Sequence, residues 1–247
     1  MAFEEHEIEW TAEKVTRLWD FYQQAPGISD MYFGLQNGGH VAHLINQKIG
    51  FARTKKILDL SCGRGDIINA CLPYLKKAQQ IYGTDFSHSS VDHVNTRFAQ
   101  EPNFKGAVHI ESFPTSFPDQ EFDLIMSTEV IEHLEDPEIE SMLGEAHRLL
   151  SPGGHLFITT PNNEAYDANK VLCPDCGCKF HRWQHLRSWT AVTLKEKIEH
   201  YGFRTKAVFP LAWGETPFKR IAFNIAAKFK MKVETGLVYI GQPQVKK

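Results

Sequence analysis

Residues 56–67 read K-I-L-D-L-S-C-G-R-G-D-I, a short apolar run that passes through an acid, Asp59, into a glycine turn. Residues 81–85, I-Y-G-T-D, form a second apolar run that closes on another acid, Asp85. A buried strand feeding a glycine turn ahead of a helix is the design of a nucleotide site. Glycine lets the backbone approach a ligand closely, and a helix amino terminus offers amide donors with no partner inside the helix. An acid that ends the second strand is placed to accept hydrogen bonds from ribose hydroxyls. The turn reads G-R-G, without a third glycine and without G-K-[ST], so neither the dinucleotide fingerprint nor the P-loop is met.

Working outward, strands are expected near residues 56–60, 80–84, 106–110, 122–126 and 155–160, with helices near 65–76, 88–100 and 137–150. Such alternation, with continuous apolar strands, argues an α/β, doubly wound, mostly parallel sheet covered on both faces. Asp136-Pro137 starts a helix and residues 151–154, S-P-G-G, end it. Thr190 can cap a further helix that stops at Gly202, and strands near 204–209 and 236–241 close the domain. Ahead of the core, residues 11–25 form an amphipathic helix with Val15, Leu18, Trp19 and Tyr22 on one face, and a second helix covers 39–49. The 247 residues therefore read as one domain: a helical cap (1–50), a cofactor-binding core (51–160), a Cys/His insertion (161–188) and a C-terminal part (189–247).

The charge balance is near neutral, with a formal net charge of −3 and no Lys/Arg run beyond doublets, which argues against a broad nucleic-acid face. No apolar run approaches membrane-spanning length, and the acidic start is unlike a signal peptide. Cys62 and Cys71 stand apart while Cys173, Cys176 and Cys178 cluster, which is no secreted disulfide framework. A cytoplasmic protein with a metal-type cysteine group fits better.

The quoted turn, D-L-S-C-G-R-G-D, followed by G-T-D-F-S, resembles the class I S-adenosylmethionine-dependent methyltransferases. Two later pieces are similar to the same family: F-D-L-I-M-S-T-E-V-I-E-H-L and H-R-L-L-S-P-G-G-H-L-F-I-T-T-P. The resemblance implies a seven-stranded sheet with an antiparallel last hairpin and S-adenosylmethionine as cofactor. It places Asp59 beside the loop or the cofactor's amino group, and the backbones of Ser61, Gly63 and Gly65 along the methionine portion. It gives Asp85 the ribose hydroxyls, a charge-assisted contact. Phe86 would flank the adenine, with Ser112 and Phe113 near it after the third strand. Glu111-Ser112-Phe113 departs from the acid many members carry there. Thr128 would line the crevice at the end of the fourth strand.

Glu129, Glu132 and His133 form E-x-x-E-H. In a helix these positions share one face, so two carboxylates and an imidazole would converge beside the transferring methyl. Like charges at that spacing need a proton or a cation, and a hard divalent ion such as Mg suits this donor set. Residues 180–190, F-H-R-W-Q-H-L-R-S-W-T, preceded by T-P-N-N-E at 160–164, resemble small-RNA 3′-terminal 2′-O-methyltransferases and, less closely, ubiquinone-biosynthesis O-methyltransferases. In the former, E-x-x-E-H and a later histidine jointly hold a divalent ion. The resemblance implies Glu129, Glu132, His133 and His185 as the metal set. Gln184 stands where those enzymes carry an acid. Without a metal, His133 is the general base, with Glu129 completing the catalytic pair.

Cys173, Cys176, Cys178 and His181 have a zinc-knuckle spacing, with His185 close behind. If His185 serves the active-site ion, the first four remain for a structural zinc; if not, His185 replaces Cys178. Trp183, Arg187 and Trp189 lie beside the insertion, available for stacking on an acceptor or for packing. Residues 218–229, amphipathic with a basic side, suit a sheet-edge cover or a membrane or partner surface. The resulting expectation is an O-methyltransferase for a hydroxylated small molecule or glycan. The rivals are a terminal-ribose RNA methyltransferase and a non-catalytic cofactor-binding protein.

Overall fold

The computed structural model describes residues 3–25, 27–213 and 235–244. The segment 218–229 lies outside these.

Ten strands and six α-helices run through the described residues. After β1 (His6–Glu7) come α1 (Ala12–Gln24) and α2 (Phe33–Lys48). The core follows as β2 (Lys56–Leu60), α3 (Asp66–Cys71), β3 (Gln80–Asp85), α4 (His88–Arg97), β4 (Phe104–His109), β5 (Phe122–Thr128), α5 (Asp136–Leu149) and β6 (Leu150–Pro161). The insertion holds β7 (Lys170–Leu172) and β8 (Cys178–His181). Then come α6 (Ala191–His200), β9 (Phe203–Leu211) and β10 (Gly236–Pro243).

Seven strands make one sheet in the order β4-β3-β2-β5-β6-β10-β9. β10 is antiparallel to both its neighbours, β6 and β9, and the other pairs are parallel. The strand order reverses between β2 and β5, where Asp59 lies level with Met126. Open α/β sheets bind their ligands in the crevice beyond the strand ends at such a point.

Period-two alternation splits each central strand between two cores. Ile57, Leu124 and Met126 pack with α2, α3 and α4 on one face. Leu58, Leu60 and Ile125 pack with α5 and α6 on the other. On α5, Ile139, Met142, Leu143, Ala146 and Leu149 are buried, and each large side chain among them contributes about 1.5–3 kcal/mol by leaving water.

The expected alternation holds, with shifted ends. The helix expected over 65–76 stops at Cys71 and tightens into a 3₁₀ turn over 72–74, where Pro73 sits; proline removes a donor and clashes with the preceding turn. α2 begins six residues earlier than expected. Thr190 caps α6 through its hydroxyl, and Gly202 follows at φ +86°. The insertion contributes β7 and β8 to a three-stranded sheet completed by the N-terminal β1, in the order β1-β8-β7. No helix among the described residues is long and apolar enough to cross a membrane.

Candidate active site

The turn after β2 is built on three residues with positive φ: Ser61 (68°), Gly63 (51°) and Gly65 (76°). Gly65 has no alternative there, because a Cβ would stand 2.7 Å from the Phe98 ring. Gly63 is different: a Cβ would meet nothing within 4 Å, so its face of the turn is open to the crevice. Asp85 ties the turn to the next strand. One carboxylate oxygen accepts from the Gly63 amide at 2.8 Å and the other from the Ser87 amide at 2.9 Å. Each oxygen keeps a lone pair. Burial raises the Asp85 pKa against these bonds.

Asp59 is 1 % exposed, and neither of its oxygens has a hydrogen-bond partner. Burial, reinforced by Asp85 and Asp66, pushes its pKa up to about 8. An orphaned carboxylate at a sheet switch point calls for a cation. Phe86, next in sequence to Asp85, is exposed and meets Phe113 edge-to-face at 5.7 Å. Ser112 is exposed beside Phe113, and Thr128 ends β5 level with Thr159. These observations fit a nucleoside donor carrying a cationic amino group. Tyr32, contributed by the N-terminal cap, was not anticipated. Its buried hydroxyl is unpartnered and its ring lies under Arg64.

E-x-x-E-H is not helical. Glu129 takes φ +53°, and residues 130–133 form a turn closed by the His133 amide on the Val130 carbonyl at 2.9 Å. The helix starts only at Asp136, with Glu135 as N-cap and Pro137 in its first turn. Proline disfavours a helical residue before it and cannot bond back to the preceding turn, so helix cannot extend back over Glu129.

The turn still brings groups together. Glu132, His133 and His185 each offer a ligand atom, all within 4.8 Å of one another. Glu132 is 1 % exposed; one oxygen accepts from the Thr160 hydroxyl at 2.9 Å and the other has no partner. His133 Nδ1 lies 3.4 Å from the Gln184 carbonyl, which leaves Nε2 facing Glu132 at 3.9 Å. Glu129 stands outside that trio. Its oxygen accepts from the Thr159 hydroxyl at 2.8 Å. Burial raises Glu132 well above the usual carboxylate range, with Glu129 adding to it, and lifts Glu129 to about 7. Burial lowers His133 to about 3, helped by His185. Burial thus disfavours the two carboxylates and the imidazolium alike, and a divalent ion would favour the ionised carboxylates and the neutral imidazole that ligate it.

Glu164, which sequence reasoning passed over, anchors the opposite side. Its oxygen lies 2.5 Å from His185 Nδ1, and its other oxygen lies 3.4 Å from His181 Nε2. Burial alone would raise Glu164, yet the two histidines hold it down to about 2. The backbone amides of Trp183 and His185 both donate to His181 Nδ1. His181 is buried and stacked on His185 with centroids 4.4 Å apart. Among the described residues it groups with Glu164 and His185, whereas the expected zinc set paired it with Cys173, Cys176 and Cys178. The signal was present in T-P-N-N-E, whose acid lies 21 residues before its partner.

The cap closes over this cluster. Trp19 meets His133 edge-to-face at 5.2 Å and donates to Gln184 Oε1 at 3.2 Å, and the Tyr22 hydroxyl donates to the Arg182 carbonyl. Trp183 packs on Tyr22, while Trp189 is buried in the α5–α6 core.

A methyltransferase domain family matches residues 30–208, and the chain belongs to that family. Among curated relatives, a "Probable S-adenosylmethionine-dependent methyltransferase" of Mycolicibacterium smegmatis is 27% identical over 157 residues, 62% of this chain and 53% of that protein. A ubiquinone biosynthesis O-methyltransferase of Bradyrhizobium is 31% identical over 111 residues, 43% of this chain and 40% of its own. The chain thus spans about half or less of these relatives. Among solved structures, a SAM-dependent methyltransferase of Aquifex aeolicus superposes with a TM-score of 0.59 at 16% identity, covering 95% of this chain and all of that one. The [4+2]-cyclase SpnF reaches the same TM-score at 15% identity, over 84% and 82% of the two chains. These likenesses establish the fold of S-adenosylmethionine-dependent methyltransferases.

Proposed function

We propose that this protein transfers the methyl group of S-adenosylmethionine to a hydroxyl oxygen of a small molecule or glycan, assisted by a divalent metal ion. The observation that carries the reading is the trio Glu132, His133 and His185, with Glu132 and His185 buried and His133 half-buried.

Asp59 would pair with the donor's amino group and Asp85 with its ribose hydroxyls, while the open face of Gly63 leaves room for the methionine portion. Glu132, His133 Nε2 and His185 Nε2 would hold the ion, with Glu129 able to join by releasing Thr159. Mixed carboxylate–imidazole donors suit Mg or Mn. The ion would supply Lewis-acid stabilisation of the acceptor oxygen as its proton leaves. Glu164 fixes the His185 tautomer, with Nδ1–H donating and the Nε2 lone pair turned inward. Trp19 and the cap keep water from the cluster and orient the acceptor for in-line attack. His133 was expected as the base, yet Glu129, lifted to about 7, is the better matched to neutral pH. His133 commits Nδ1 to the Gln184 carbonyl and is held too acidic to be a good base.

The near-neutral charge favours a small acceptor over RNA. The superposition on a cyclase shows that this fold also hosts proteins named for other chemistry, so transfer must be measured. The test is methyl transfer to a panel of catechols, sugars and RNA 3′ ends, with and without chelator. Metal-restored O-methylation, lost in Glu132→Gln with donor affinity kept, supports the reading. Full activity in chelator, or in Glu132→Gln, overturns the metal assignment.

A further inference from the structure

The three clustered cysteines take no part in the active site, and the structure shows what stands beside them. β7 and β8 pair antiparallel with Leu172 opposite Lys179. One step further puts Cys173 opposite Cys178, and the Cys173 amide donates to the Cys178 carbonyl at 2.8 Å. On its other side β8 pairs parallel with β1, and His6 is the partner of Cys178. Residues level across adjacent strands point to the same face. Cys173, Cys178 and His6 therefore form a single row on one face of the small sheet. The next row, Leu172, Lys179 and Glu7, points the other way.

Cys176 reaches the row from the turn. It stands three residues after Cys173 and two before Cys178, and it is exposed. Gly177 allows the turn at φ +78°, and a Cβ there would strike the Glu4 carbonyl at 2.2 Å. The N-terminal strand is thus seated directly on the knuckle: the His6 amide donates to the Gly177 carbonyl at 3.0 Å. All three thiols are free, and His6 is exposed. Among the described residues, no three of these four side chains bring ligand atoms within 4.8 Å of one another, so side-chain rotation must complete the set.

We propose that Cys173, Cys176, Cys178 and His6 form a structural zinc site that pins the N-terminal strand to the insertion. Three sulfurs and one imidazole are a closed tetrahedral set with no open position, which suits a structural ion. Binding releases the thiol protons and leaves zinc as Zn²⁺. The three-stranded sheet carries few apolar contacts of its own, since Val171 and Leu172 are both exposed. Metal binding would give it the stability its size denies it. The site is independent of the divalent ion at Glu132, because thiolates select zinc and carboxylates select harder ions.

The experiment uses the full chain, purified under reducing conditions with any tag at the C-terminus. Elemental analysis should find about one zinc per chain, retained through dialysis against a weak chelator and released by a mercurial reagent. Cobalt substitution should give the thiolate charge-transfer and tetrahedral d–d bands. Cys176→Ser should lose the metal, and His6→Ala should weaken zinc binding about a hundredfold, one ligand's share of a structural site. Both substitutions lie on the exposed rim, and circular dichroism checks that the fold survives. Glu132→Gln should leave the zinc in place. Metal-free protein in zinc-replete medium, a Cys173–Cys176 disulfide in its stead, or zinc unaffected by His6→Ala would overturn the proposal.

Discussion

Asp59 makes cofactor binding a proton-linked event whose size can be worked out. Its carboxylate is buried and unpartnered, with a pKa of about 8 against an ordinary value of 3.8. At pH 7 the empty protein therefore holds Asp59 protonated by about ten to one. A donor whose amino group pairs with the carboxylate binds only the ionised form, so about 0.9 proton leaves on binding at pH 7. The dissociation constant then falls roughly ninefold from pH 6 to pH 7, from the ratio of (1 + 10²) to (1 + 10¹), and flattens only above about pH 8. Stability of the empty protein runs the opposite way. A carboxyl whose folded pKa is raised stabilises the fold below its unfolded pKa and loses that contribution as pH climbs through the folded value. Between 3.8 and 7 the loss approaches about 4 kcal/mol at about 1.36 kcal/mol per unit. Asp59→Asn should remove both effects together: a flatter stability profile with pH, and weaker, pH-independent binding. Calorimetry of S-adenosylmethionine in two buffers of different ionisation enthalpy reads the released proton directly. A heat independent of buffer, with affinity constant from pH 6 to 7, would refute the placement of the amino group at Asp59.

Asp85→Ala removes the acceptor for the ribose hydroxyls and the tie to the Gly63 amide; affinity for S-adenosylmethionine should drop by roughly 30- to 150-fold, the worth of about 2–3 kcal/mol of charged hydrogen bonding, and unchanged calorimetric affinity counts against the assignment. Glu164→Gln should weaken the divalent ion about 10- to 100-fold while donor affinity stays put, as titration of manganese by electron paramagnetic resonance would show. Gly65→Ala forces a left-handed alanine against Phe98; the urea midpoint should fall by an amount worth about 2 kcal/mol or more, and a wild-type midpoint would mean the turn is not held in this conformation.

Much of the fold was legible because its signals are local. The run at 56–60 is apolar on both faces, since both of its faces are covered, and the glycine turn and Asp85 announce a ligand crevice within one strand–turn–helix unit. Thr190, Asp136-Pro137 and Gly202 mark helix ends through chemistry that acts over three or four residues. E-x-x-E-H shows the opposite case. The spacing suits one helix face, yet Pro137 and a left-handed Glu129 place the segment in a turn, and the groups converge by another route. The residues were readable and their conformation was not, because spacing alone does not distinguish a turn from a helix over five positions.

The missed partners are those whose contacts run far along the chain. Glu164 reaches His185 across 21 residues, and His6 meets Cys178 through a strand two residues long. Neither has a periodicity to read. Both reassignments follow from one constraint, that a buried imidazole must place its two nitrogens. His181 commits Nδ1 to two backbone amides and turns Nε2 to Glu164, so it has no lone pair to give a thiolate-bound ion. With His181 turned to Glu164, a zinc on the cysteine row would take its fourth ligand from elsewhere, and strand register puts His6 level with Cys178.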